Sequence, residues 1–464
     1  MLPATLDETY NHMLVSIAPQ HREEAARALK WLICSKKPLT VDELAEAVVI
    51  NLEEEGEVDL SERLFDANSI TGVLSGLIAV SDNSVRLAHF SVAEYLTSDR
   101  LVGTDVSDFW VSVPDCTPKL LRACLRYLQT NAIQTESFGS PPNYAPPLRY
   151  RPPLLNHAAN CWVEYARGCP ANQTTSTVSM ITFFLRCEAA SRMWKAGWEN
   201  RTFRTARQHH RFLLYHKSDP LYFSAFFGLE SVLLAILQTD TPDLDKERSQ
   251  NLTEALQEAS YQGHNSIVRI LLEAGANADE KTLEAAMDAV GAGRPSPDIV
   301  LQLLDKTARL SRSHVTARLL RWSIRERQYQ IVDTVLARLE GGIGADLAWY
   351  HQPRSQSWWY EPEVPSYNYR GSLCFDAVLG GDIRIVQLFL SGWENVDECD
   401  EEGRTALYWA AFYGNVEVVG LLLHHGANPD IELPAWGWSP MYWAVEKKYE
   451  SIVAMLGQAM EWRY

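Results

Sequence analysis

The stretch from Gly263 to Asp279 returns 151 residues later, from Gly414 to Asp430, with eight of its 17 positions identical. The identities are mechanical ones. Gly263 and Gly414 enter a helix, Val268 and Val419 share a helical face with Leu271/Leu272 and Leu422/Leu423, and Gly275-Ala276-Asn277 and Gly426-Ala427-Asn428 leave it. A unit of this size is one supersecondary element that cannot bury its own apolar stripe, so copies must stack on one another into a continuous core.

The same spacing of apolar pairs recurs along the second half of the chain. It appears at Val232/Leu233 with Ile236/Leu237, Ile299/Val300 with Leu303/Leu304, and Ile331/Val332 with Val335/Leu336. It continues at Ile385/Val386 with Phe389/Leu390 and ends, degenerate, at Ile452/Val453 with Met455/Leu456. Three starts share a second signature: Asp219-Pro220-Leu221-Tyr222, Thr405-Ala406-Leu407-Tyr408 and Ser439-Pro440-Met441-Tyr442. Asp, Thr or Ser caps a helix, and Pro in its first turn wastes no amide hydrogen. These segments resemble ankyrin repeats, with Tyr222, Tyr408 and Tyr442 where the family usually has His. The resemblance implies a solenoid of about seven or eight helix pairs over residues 218–464, several of them degenerate, and a concave protein-binding face.

Two places in this region are candidates for contact with a partner. Equivalent first-helix positions lie about 33 residues apart in ankyrin arrays, whereas Leu320 and Cys374 are separated by 54. The surplus, residues 341–370, includes Trp349, Trp358, Trp359, Tyr360 and Tyr367. Trp and Tyr dominate binding hot spots, although such residues also fill an enlarged core. The second candidate is the acidic finger with Asp397, Glu398, Asp400 and Glu401, followed one repeat later by Trp436 and Trp438. It suits a basic partner or, more plainly, forms a solvated turn.

The first hundred residues read differently. Helical patterns at Leu2 to Tyr10 and Ala26 to Cys34 precede Thr40, which is spaced to form a capping box with Glu43. Runs Ser75 to Val80 and Val85 to Leu87 flank a polar turn and predict a hairpin before His89 enters another helix. Three helices and a hairpin make a winged helix. Its candidate recognition helix carries Asp42, Glu43 and Glu46 but no Lys or Arg, so nucleic acid is not an expected partner. The wording, especially Leu2 to Tyr10, Pro38 to Ala47 and Leu87 to Leu96, resembles the winged-helix region that follows the NACHT nucleotide-binding domain of fungal NOD-like (STAND) ankyrin proteins. That resemblance extends to about residue 215. It implies a nucleotide-contacting role for His89, which the replacement of the usual next Asp by Phe90 undercuts, and a capping or packing role is the plainer expectation. The sequence contains no Walker loop to cradle a triphosphate.

The expected organisation is therefore mainly α: a winged helix over 1–100, a helical region over 101–217 with a Pro-rich loop at 140–153, and ankyrin repeats thereafter. A formal charge of −17 disfavours nucleic acid and anionic membranes. The start has no signal-peptide pattern and no run of apolar residues is long enough to span a bilayer, so a cytoplasmic or nuclear location is expected. The eight cysteines lack a Cys-x-x-Cys pair and read as reduced thiols. His157 and Cys161, four apart on a helix, are two ligands at most, short of a metal site. No hydrolase, metalloprotease or dinucleotide motif is present, so catalysis, cofactor and metal are not expected. The leading expectation is a scaffold that binds protein partners. Two others follow from resemblance: the regulatory half of a STAND ATPase, and an accessory protein of a fungal secondary-metabolite gene cluster.

Overall fold

The structure, a computed structural model, describes residues 6–54, 58–59, 68–136, 152–169, 174–187, 219–239, 246–288, 296–307, 309–311, 313–339, 373–393, 395–400, 403–432 and 438–461. The chain is mainly α-helical and divides into two compact units, Met1–Asp245 and Lys246–Tyr464.

The first unit begins with α1 (Leu6–Val15), α2 (Arg22–Cys34) and α3 (Val41–Val49). Thr40 caps α3 through its hydroxyl, which accepts the Glu43 amide at 3.2 Å, while the Glu43 carboxylate accepts the Thr40 amide at 2.8 Å. Both arms of the box satisfy amides that a helix start leaves without partners. After α4 (Asn68–Val73), strands β2 (Ile78–Ser81) and β3 (Ser84–Leu87) form the wing, with Val80 opposite Val85, and the short β1 (Leu39–Thr40) adds to β3. Asp82 and Asn83 turn the hairpin with φ of +49° and +62°, the two left-handed positions that match the twist of a tight hairpin. Leu29, Trp31 and Leu44 are fully buried.

His89 then caps α5 (Phe90–Leu96): its Nδ1 accepts the Ser91 amide at 3.3 Å and lies 2.7 Å from the Ser91 hydroxyl. The capping role expected of this residue is what the geometry displays. Tyr10 reaches the same hydroxyl at 2.7 Å and so ties α1 to α5.

Three further helices, α6 (Val113–Glu136), α7 (Leu155–Gly168) and α8 (Thr174–Arg186), continue the unit. They are joined to the winged helix by polar groups that are buried. Glu46 of α3 accepts the Tyr127 hydroxyl at 2.5 Å and the Leu154 amide at 2.8 Å. The presumed recognition helix thus turns Val41, Leu44, Glu46 and Val48 inward, and Glu46 is a structural tie rather than part of an exposed acidic face. Ser35, His157 and Tyr165 form a second buried triangle with sides of 3.1 to 3.2 Å. Burial, aided by Lys37, pushes the His157 imidazole down to about 4, so it is neutral at pH 7. Cys161 lies 3.9 Å from its Nδ1 and is pushed up to about 12 by burial, so it is a protonated thiol at pH 7. Among the described residues no three or more His, Cys, Asp or Glu are grouped as a metal site would need.

The first ankyrin-like pair, α9 (Pro220–Phe227) and α10 (Glu230–Thr239), packs on α8 within this unit. Asp219 caps α9 as expected, and Gly228 ends it at φ +71°. Arg167 of α7 donates to the terminal Phe227 carbonyl, with Nε at 2.9 Å, and the Trp162 ring meets Phe184 and Phe227 edge-on at 5.3 Å each.

The second unit is a stack of six helix pairs among the described residues. The first helices are α11 (Lys246–Gln262), α13 (Glu280–Met287), α15 (His314–Arg325), α17 (Leu373–Gly380), α19 (Ala406–Tyr413) and α21 (Pro440–Glu446). The second helices are α12 (Asn265–Glu273), α14 (Pro297–Lys306), α16 (Tyr329–Arg338), α18 (Ile383–Leu390), α20 (Val416–His424) and α22 (Glu450–Glu461). Each row packs helix on neighbouring helix, and the paired Ile, Val and Leu positions of the second helices are buried between rows. The long interval between α15 and α17 does not interrupt stacking, since the two helices pack directly. Their approach is close enough that a Cβ on Gly380 would lie 3.0 Å from the Ile324 carbonyl.

Thr405 and Ser439 cap their helices through hydroxyls that accept the Tyr408 and Tyr442 amides. The turn to the second helix demands a left-handed residue. Gly263, Gly381 and Gly414 supply it at φ of +69° to +79°, whereas Arg327 and Lys448 adopt it as strained exceptions.

Candidate partner-binding surface

Residues 395–400 and 403–413 build a partly exposed surface of the second unit, beginning with the finger that precedes α19. Its backbone closes through the Asp400 amide to the Arg404 carbonyl at 2.9 Å, next to a bridge between Cys399 and Thr405. Asp400 lies inside this turn, its side chain only 2% exposed. It accepts the Arg404 amide at 2.9 Å, the Arg404 Nε at 2.7 Å and the Trp409 indole N–H at 3.2 Å. One carboxylate therefore fixes both the finger and an aromatic ring on the helix behind it. The Arg404 guanidinium in turn lies over the Trp409 ring, 4.5 Å from its centroid.

From Trp409 an aromatic ladder runs across two repeats. Trp409 stacks on Tyr413 at 6.0 Å and meets Phe412 at 5.8 Å on the same helix. Phe412 contacts Trp443 of α21 at 4.8 Å, and Trp443 meets Trp438 at 5.4 Å and Tyr442 at 5.3 Å. Lys447 places its ammonium 3.5 Å from the Phe412 centroid and 5.8 Å from that of Trp443. The ladder is not all core: Tyr413 is 45% exposed. Tyr442 is 42% exposed although its repeat counterpart Tyr408 is buried at 5%, because Tyr408 has α21 against it. Rings held by neighbours lose little entropy when a ligand covers them, which is what a binding surface needs.

The residues singled out from sequence are distributed unevenly over this geometry. Trp438 belongs to the ladder. Glu398 is exposed, and Asp397 is half-buried, accepting the Asn428 amide of the next finger at 2.7 Å. Asp400 is turned inward, so its contribution is to shape the finger, not to face a partner. Glu401, Trp436, Trp349, Trp358, Trp359, Tyr360 and Tyr367 lie outside the described residues. The sequence reading passed over Trp409, Phe412, Tyr413, Trp443 and Lys447. The available signal was aromatic residues at the variable positions of the Leu-x-x-Ala-Ala helix, where Trp409, Phe412 and Tyr413 all stand.

The chemistry offered here is that of recognition. The surface combines aromatic faces, exposed carboxylates and two cations held over rings. Among the described residues no helix is long and apolar enough to cross a membrane.

Comparison with known proteins matches these parts separately. Residues 374–461 match the family model for ankyrin repeats (3 copies), residues 254–283 match the single ankyrin repeat, and residues 10–112 match the winged helix domain of GPI inositol-deacylase. A relative from Monascus ruber, "Azaphilone pigments biosynthesis cluster protein L", is 26% identical over 292 residues, 60% of this chain and 60% of its own length. Human inversin is 43% identical over 61 residues, 12% of this chain and 5% of inversin. The chain thus spans about three fifths, or far less, of the length of these relatives. A solved ankyrin repeat domain from Acinetobacter baumannii AYE aligns over 52% of this chain and 97% of its own, at 22% identity and a TM-score of 0.26. The chain is a mainly α-helical protein with an N-terminal winged helix followed by ankyrin repeats.

Proposed function

We propose that the chain is a non-catalytic scaffold that binds a protein partner through its last two described repeats. The single observation behind this reading is the aromatic ladder from Tyr413 to Trp438, fixed from below by Asp400 and Arg404 and partly open above. Aromatic residues supported in this way carry a large share of binding energy in protein interfaces. Ankyrin repeats present this surface on a rigid stack, so affinity is not spent on ordering the protein. Neither nucleic acid nor a bound cofactor has a role in this reading, and the site of action is the cytoplasm or nucleus.

The test is quantitative affinity capture with wild-type chain and Tyr413→Ala. A partner depleted several-fold by the substitution, with the circular dichroism spectrum unchanged, supports the scaffold. An unchanged set of captured proteins would sink it. The aromatic insertion is a further proposed surface: Trp358→Ala with Trp359→Ala should weaken capture and leave the fold intact, whereas wholesale unfolding would make those rings core.

Two finer readings concern context. The winged-helix match at 10–112 favours the regulatory half of a STAND-type ATPase. The Monascus ruber relative favours an accessory role in a secondary-metabolite gene cluster. Deleting the gene and measuring pigment or polyketide output separates them, since a cluster role predicts an altered product profile, whereas the role in non-self recognition and cell death implied by the STAND resemblance predicts an unaltered one.

A further inference from the structure

Resting on the scaffold reading, we infer that the aromatic ladder of α19 and α21 takes a cationic peptide segment, one rich in Arg and Lys, and that Lys447 is an internal occupant of the place its side chains would take. The first ground is charge. Residues 394–461 carry twelve Asp and Glu against Arg404, Lys447 and Lys448, a formal −9 of the chain's −17. More than half of the net charge is concentrated in about a seventh of the sequence, the same stretch that supplies the aromatic ladder, and Glu398, Glu446 and Glu450 are exposed in it. Such a field raises the encounter rate with a cationic segment and repels an acidic one.

The second ground is what the rings already hold. Lys447 sits over Phe412 at 3.5 Å, closer than the 4.5 Å at which Arg404 covers Trp409. These faces therefore accept both an ammonium and a guanidinium. The two cations differ in their ties. Arg404 is buried and fixed by Asp400, so it belongs to the frame. Lys447 is exposed, follows the end of α21 and covers Phe412, whose ring lies 5.1 Å from that of the exposed Tyr413 on α19. A partner cation can exchange with it at little cost, because one cation–π contact replaces another while the net charge of the patch favours the incoming segment.

The experiment uses full-length chain and fluorescein-labelled nona-arginine, with anisotropy read at physiological salt, where non-specific attraction is screened. Tyr413→Ala, which leaves charge unchanged, is expected to weaken binding about 3-fold or more, and Tyr413→Phe to bind as wild type does. Lys447→Gln is expected to tighten binding more than Lys448→Gln, which changes charge equally but covers no ring among the described residues. Equal affinity of Tyr413→Ala and wild type, or equal effects of the two lysine substitutions, would overturn the inference. If Tyr413→Ala does not fold, the lysine pair still decides. Failure of nona-arginine to bind, together with loss of the captured partner on Tyr413→Ala, would overturn the cationic inference and leave the scaffold standing.

Discussion

The two units are held together by different means, and their responses to stress should differ accordingly. The second repeats one solution, an apolar pair on each second helix buried against its neighbours, so its cohesion is spread over many similar contacts. The first shows the repeat only in its last pair, α9 and α10. Elsewhere its apolar core is tied by a few polar groups at singular places, Glu46 with Tyr127 and Leu154, and His157 with Ser35 and Tyr165. A repeat array tolerates a local defect because each unit leans only on its neighbours, whereas the loss of one buried tie in a singular core is felt throughout it.

Breaking the Glu46 tie is the largest expected effect. Glu46→Ala leaves the Tyr127 hydroxyl and the Leu154 amide buried without their acceptor, at a cost of about 3 kcal/mol. Hydrogen exchange should accelerate across residues 41–49 and 113–168 and stay unchanged beyond residue 246; uniform acceleration would mean the units are not energetically separate.

Acid should separate the units by sign. The His157 imidazole falls from 6.5 to about 4 through burial, so between those values the unfolded chain binds more protons and the first unit loses stability as pH drops. The full loss is about 3 kcal/mol. Asp376 of α17 behaves oppositely. Burial outweighs the attraction of Arg321, 3.2 Å away, and of Arg325, and raises its carboxyl to about 6. The folded second unit therefore binds more protons between 3.8 and 6, and acidification relieves a penalty that is complete above 6. Residue-resolved exchange at pH 7 and 4.5 should show His157→Gln and Asp376→Asn flattening these slopes in opposite directions. Slopes of the same sign would refute the contrast.

Smaller effects sharpen the repeat side of it. Gly414→Ala puts a Cβ 2.7 Å from the Tyr449 ring at φ +76°, and should cost about 2 kcal/mol in thermal melts. Lys448→Gly removes left-handed strain at the equivalent turn and should stabilise by about 0.5 to 1 kcal/mol. A destabilised Lys448→Gly would show that its side chain does more for the fold than its backbone costs.

Local signals explain which parts were legible in the sequence. The Thr40 and Glu43 box, the Asp82-Asn83 turn and the capped starts at Asp219, Thr405 and Ser439 involve partners within four residues, and all appear as read. The tie made by Glu46 was not legible because its partners stand 81 and 108 residues away, a pairing no local pattern carries. Asp400 shows the same limit more subtly. Its neighbours in sequence are exposed acids, but a turn closed by Arg404 rotates it inward, and only the fold of that turn distinguishes it from Glu398. The ladder was half visible: Trp438 stood out beside the finger, while Trp409 and Tyr413 follow a helix start legible only for its cap and first turn.

If recognition belongs to the ladder of the second unit, cross-linking mass spectrometry of the captured native complex will locate it there. A zero-length carbodiimide reagent joins carboxylates to partner lysines, so links from Glu398, Glu446 or Glu450 beside the ladder are the predicted result. Links confined to the winged helix and absent from those residues would contradict the account.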